Sequence, residues 1–269
     1  MSGAVIDWSI VGPALAAGLL VLSTHVPLGQ EVLKRGIIFI DLAIAQVAGL
    51  GVIASDALGW EPHGLAVQGA AVSAALVAAT GLRWTEKRWP RSQEPLIGIL
   101  FVLAATASIL MLSENPHGGE HLKDLLVGQI LWSTWPMLIP IASLYAVVLA
   151  LWFAFYQRLG RTFFYLAFAF VVTASVQVVG VYLVFASLII PALATRRMHG
   201  APRLWAGYGI GALAYFVGIL ASAWLDLPTG AVMVWSLAII ATLVGFIIGA
   251  RGSARAQDAE RAAATGTTG

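Results

Sequence analysis

The chain has 269 residues, 59% of them hydrophobic and only 10% charged, with a formal net charge of +2. Ordinary globular domains are about 25% charged, and a mean hydropathy of +0.88 excludes a soluble fold, which would have to expose mostly hydrocarbon; an all-α polytopic membrane protein is expected. The lack of cysteine excludes disulfides and thiolate metal ligands.

The first apolar run, 9–27, follows only "MSGAVIDW", which has no basic n-region, so it is expected to be a retained span rather than a cleaved leader. Further runs follow at 37–59, 65–82, 95–112 and 131–156, then 162–179, 181–195, 206–225 and 231–250. About twenty residues cross the hydrocarbon core at 1.5 Å per residue. The continuous run 162–195 would be about 50 Å long as one helix, too long for one ordinary span. After 250 the tail "GSARAQDAERAAATGTTG" is small and polar, so a transmembrane domain over 1–250 and a disordered cytoplasmic tail over 251–269 are expected.

Basic residues decide how 162–195 is threaded. The connections 28–36, 83–94, 157–161 and 196–205, with the tail, hold 14 of the 15 Lys and Arg, while 60–64, 113–130 and 226–230 hold only Lys123. This positive-inside pattern survives only if the run crosses twice, turning near Gly180. About nine segments result, with the N-terminus outside and the C-terminus in the cytoplasm. Gly180 accommodates the turn, and Pro191 lacks the donor that would continue regular bonding. Broken helices in a membrane occur where protein or a water-filled path surrounds the freed backbone, which points to transport. Gly and Pro are also common in membrane helices, where they set simple kinks.

Few polar side chains interrupt the apolar runs. Asp41 and Gln46 lie in "IIFIDLAIAQVAG", about 140° apart on a helix and so not on one narrow face. Asp41 either faces the bundle interior, as buried acids tend to, or pairs with Lys34 and Arg35 at the cytoplasmic end. Gln46, deeper, is a candidate for lining a path. Gln177, beside the Gly180 break, either lines a path or bonds a freed backbone carbonyl. The outer loop "SENPHGGEHLKDLLVGQ" brings Glu114, His117, Glu120 and His121, and "WEPHG" adds His63. Imidazole and carboxylate suit zinc or manganese, so these five are either candidate metal ligands or chance residues of a solvated loop; the glycines between the two loop histidines argue against a regular helix there. No GxxxxGK[ST] loop and no nucleophile–His–Asp arrangement is present, so no enzyme activity, no bound cofactor and no nucleic-acid partner is expected of this chain, and an ATP-driven process would place ATP on a partner.

The stretch "VVGVYLVFASLIIPALATRR" (178–197) and the run "LLVGQILWSTWPML" (125–138) resemble the permease subunits of bacterial zinc- and manganese-type metal-ion ABC importers. Val178, Val179, Gly180, Leu183, Val184, Leu188, Ile189, Ile190, Pro191, Ala192, Ala194, Thr195 and Arg196 carry the first match; Leu126, Gly128, Ile130, Leu131, Ser133 and Trp135 carry the second. A weaker likeness runs from Ala14 to Gly51, and the resemblance extends to about residue 250. It implies a divalent-metal permease of the bacterial inner membrane, working as a homodimer with cytoplasmic ATPase subunits and an extracytoplasmic solute-binding protein. Asp41, Gln46, Gln177, Gly180 and Pro191 would line the path, and Arg88, Arg158, Arg161, Arg196 and Arg197 would face the ATPase. Two departures stand out. The family's second segment carries an Asp and then a His, but Gln46 occupies the His position here. The family's longer cytoplasmic stretch, which looks like the ATPase-docking part, is reduced to "YQRLGR" (156–161). They leave as alternatives a permease for a chelated metal or small organic solute, and a non-transporting membrane scaffold subunit.

Overall fold

The computed structural model describes residues 7–60, 64–112 and 118–266. Asp7 starts the first helix, α1 (Trp8–Arg35), by accepting a hydrogen bond from the Ser9 amide at 2.9 Å. Hydrogen bonds from the Ser9 hydroxyl and amide hold its exposed carboxyl below the ordinary aspartate value. Gly36, in the left-handed region at φ 69°, ends α1 by returning its N–H to Leu33 and Val32. The helix therefore passes through Pro27 and Gly29, where the sequence suggested a connection over 28–36. Gly29 is a packing residue, since a Cβ there would collide with the carbonyl oxygen of Leu188.

α2 (Ile40–Ala57) and α3 (Leu65–Arg88) follow, then a 3₁₀ turn at Pro90–Ser92 leading into α4 (Gln93–Leu112). α5 (Gly118–Val127) is short, and a 3₁₀ turn at Ile130–Trp132 joins it to α6 (Trp135–Ala194). α7 (Gly200–Leu225) and α8 (Thr229–Gly266) complete the bundle. α8 continues past residue 250, where the sequence is rich in the good helix formers Ala, Arg, Glu and Gln.

α6 is three arms rather than one rod. Gly160 (φ 66°, ψ −158°) and Gly180 (φ 78°, ψ 163°) have non-helical backbones. At Gly160 the chain doubles back: Tyr145 of the first arm donates to the Val171 carbonyl of the second at 3.3 Å and bonds the Ser175 hydroxyl, and Trp152 lies 6.4 Å from the Phe164 ring. At Gly180 it doubles back again. Arg161 begins the second arm at the basic end of the bundle, paired with Glu86 at 3.5 Å. Ala194 ends the third arm beside Gly245, far along α8 from its start. Among the described residues eight helices are long and apolar enough to cross a membrane, and the 35-residue Gly160–Ala194 stretch is the one that leaves the basic end and returns to it. The turn expected near Gly180 is thus present. Pro191 plays no part in it: the proline is buried inside the continuous third arm, and its carbonyl accepts from the Thr195 hydroxyl at 2.8 Å.

The second and third arms form the centre. Phe164, Phe168, Val171, Val172, Val179, Leu183 and Leu188 are fully buried. α1 and α7 pack closely because small residues face large ones: a Cβ on Gly207 would meet Val26 and one on Gly211 would meet Leu22. The outer helices are lipid-like in character, with Val77, Leu103, Trp205 and Phe246 largely exposed. A ring of ion pairs marks the basic end: Arg35 to Glu31 at 2.8 Å, and Arg83 and Arg161 to Glu86 at 3.2 and 3.5 Å.

Candidate functional site

Asp41 occupies the first turn of α2 and is 0% exposed; no side chain among the described residues hydrogen-bonds its carboxylate, and the amides of Asp41 and Leu42 at the helix start lie beside it. Arg35 is turned to Glu31 and Glu86 instead. Of the two roles open to Asp41 in the sequence, the buried one holds. Glu94, at the start of α4, accepts from the Phe39 amide at 3.2 Å, while its second oxygen is buried and unpartnered. The first-turn N–H groups of α2 supply partial positive charge, because Phe39 gives no side-chain cap. An isolated ion there is expensive, so a charge on Asp41 is costly where it stands.

One and a half turns further along α2, Gln46 is 7% exposed and borders a small, partly open cavity of about 10 Å³, room for roughly one water. Ser108 of α4, Leu125 and Leu126 of α5, and Val176 and Val181 on either side of Gly180 complete its wall. The angular separation of Asp41 and Gln46 does not divide them between inside and outside, because α3, α4 and α6 all pack on α2. Buried Ile44 and Ala45 lie between the two polar groups. Apolar side chains thus separate the two polar groups along α2.

Beyond the cavity, Gln177 hydrogen-bonds the side chain of Gln68 on α3 rather than a freed backbone carbonyl. α5 reaches this level from the side opposite the basic end. Its last residue, Val127, and the following Gly128 (φ 72°) lie against the backbone of Val179 and Gly180, and Gly230 of α8 meets the Val127 carbonyl. Three glycines, Gly128, Gly180 and Gly230, therefore let three chain segments touch backbone to backbone, and α5 plugs the space above Gln46.

His25 is interior rather than near a segment end, because α1 runs to Arg35. It is 0% exposed; its Nδ1 donates to the Val21 carbonyl at 2.8 Å, leaving Nε2 without a partner. Among the proposed outer metal ligands, His63, Glu114 and His117 lie outside the described residues. Glu120 and His121 fall in α5, whose regular helix from Gly118 replaces the irregular loop expected from the glycines. Among the described residues no three His, Asp or Glu side chains gather as a metal site. Arg88, Arg158, Arg161, Arg196 and Arg197 are all exposed, Arg161 keeping its Glu86 partner. Two groups were missed from the sequence. Glu94 was counted as part of a basic connection, and Gln68 stood alone in "LAVQGAAV" with nothing to indicate its partner 109 residues away.

The ABC 3 transport family matches residues 7–173 and 160–249. No curated protein matches the chain. Among solved structures the fold is similar to that of PsaBC from Streptococcus pneumoniae in complex with Fab, with a TM-score of 0.68 over 88% of this chain and 89% of that one, at 19% sequence identity.

Proposed function

We propose, for a chain that belongs to the ABC 3 transport family, that it is the membrane permease of a divalent metal-ion importer, passing its cargo along α2 between Asp41 and Gln46. The observation that carries this reading is the fully buried Asp41 carboxylate, which no side chain among the described residues pairs or caps. A membrane helix keeps such a group where function requires it. Carboxylate and amide oxygens are the donors at Asp41, Glu94 and Gln46, and Gln68, Gln177 and Ser108 add more oxygen. Oxygen donors suit manganese better than zinc, which favours imidazole and thiolate. Gln46 in place of histidine thus moves the preferred cargo toward manganese.

The chain carries no nucleotide-binding loop, so ATP hydrolysis belongs to a separate cytoplasmic subunit. Arg88, Arg158, Arg196 and Arg197 are exposed at the basic end that this ATPase would face. A second copy of the chain and an extracytoplasmic solute-binding protein complete the importer. The membrane is a bacterial inner membrane, with the basic end in the cytoplasm. The outer residues His63, Glu114, His117, Glu120 and His121 would receive the ion from the binding protein.

The test is ATP-driven uptake into proteoliposomes holding this chain and its ATPase, with manganese, zinc and iron compared. Manganese entry above zinc, lowered about tenfold by Gln46→Ala, is expected. Entry of no metal while the ATPase is bound and turning over would assign the permease to another solute. Failure of any ATPase to bind would favour the scaffold role.

A further inference from the structure

A second polar site lies at the basic end, away from α2. A cleft of about 310 Å³ opens where the C-terminal part of α1, the first arm of α6 and the start of α7 converge, lined by Gln30, Glu31, Lys34, Trp152, Phe153 and Arg203 among others. Its donors are underused. Gln30 Nε2 and Arg203 Nε are buried and have no hydrogen-bond partner. The first turn of α7 is also open, since its N-cap, His199, makes no side-chain cap. The acid in the wall, Glu31, is engaged by Arg35 at 2.8 Å, which leaves Lys34, Arg203 and the helix N-terminus as net positive charge.

The walls are mixed in a telling way. Phe153 is 62% exposed and faces outward, and Trp205, two residues past Arg203 on α7, is 70% exposed. A tryptophan and a phenylalanine flanking a basic pocket between transmembrane helices fit the polar–apolar boundary of a bilayer. A free anion would use the donors and leave the aromatic rim without a role. An anionic lipid would use both, with its phosphate on Gln30, Lys34 and Arg203 and its chains along the rim. Basic pockets between helices on the cytoplasmic side take lipid headgroups in this manner, and the arginine fork suits phosphate oxygens.

We infer that this cleft is a binding site for the phosphate group of an anionic phospholipid. It is independent of the α2 path, so its failure would leave the metal-transport reading standing.

The purified full chain in detergent, examined by native mass spectrometry with phosphatidylglycerol and phosphatidylcholine of matched chains, tests the inference. Phosphatidylglycerol should be retained roughly tenfold better. That preference should vanish in the double variant Arg203→Gln with Lys34→Gln and persist in Lys87→Gln with Arg91→Gln, two basic residues of the same end outside the cleft. Should the double variant fail to fold, the wild type alone suffices: phosphatidylglycerol, but not phosphatidylcholine or inorganic phosphate, should raise its melting temperature. Equal retention of both lipids, or equal loss in the control variant, would overturn the site. So would stabilisation by inorganic phosphate alone with no lipid retained, which would assign it to a free anion. Expulsion of the lipid when the partner ATPase binds would give the cleft to an acidic side chain of that partner and equally overturn the inference.

Discussion

Asp41 and Gln46 differ in what they ask of the bundle. The Asp41 carboxylate is sealed from water with no side-chain partner among the described residues, so its charge works against folding. Asp41→Asn keeps the shape and removes the charge. We expect an unchanged or raised melting temperature together with at least a tenfold loss of uptake, read by thermal denaturation beside the transport assay. Gln46→His replaces an amide with an imidazole at the cavity wall, and the zinc-to-manganese uptake ratio should rise roughly tenfold. Both residues were legible because a polar letter inside an apolar run is conspicuous. Glu94 was not, since it sits at a helix start among basic residues, and only the fold sets it against α2.

At the scale of elements, the α5 plug and the Gly180 turn depend on each other. A Cβ at Gly180 would meet the Gly128 amide and one at Gly128 would meet the Val179 carbonyl, and both glycines have positive φ. Gly180→Ala and Gly128→Ala should each lower stability by at least about 1–3 kcal/mol from backbone strain alone, whereas Gly98→Ala, inside α4 with open space around it, should leave stability unchanged or raise it. Thermal melting of the three variants separates these outcomes. The Gln68–Gln177 pair closes the same region from α3. In this cysteine-free chain, Gln68→Cys with Gln177→Cys should be joined by a short bifunctional thiol linker, and the joined protein should stop transporting. The turn at Gly180 was legible from charge, because only a second crossing keeps the basic loops on one side. The helical passage through Pro27 and Gly29 was not: both letters look like breakers, and only the Leu188 backbone explains the glycine.

For the molecule as a whole, hydropathy and the asymmetry of Lys and Arg specified the architecture, since few arrangements bury so much apolar chain while keeping its charges at one end. The proposed path is harder to read, because it would draw on single polar residues on α2, α3, α4 and α6 whose positions only packing sets. Its course can be probed directly, given the absence of native cysteine. Single cysteines at 46, 49 and 53 on α2, and at the lipid-facing positions 77 and 103, would be treated with a water-soluble methanethiosulfonate reagent during ATP-driven turnover. If cargo moves along α2, the first three should react and block uptake, manganese should slow their reaction, and the last two should stay inert. Sustained transport with 46, 49 and 53 unreactive would contradict a path along α2.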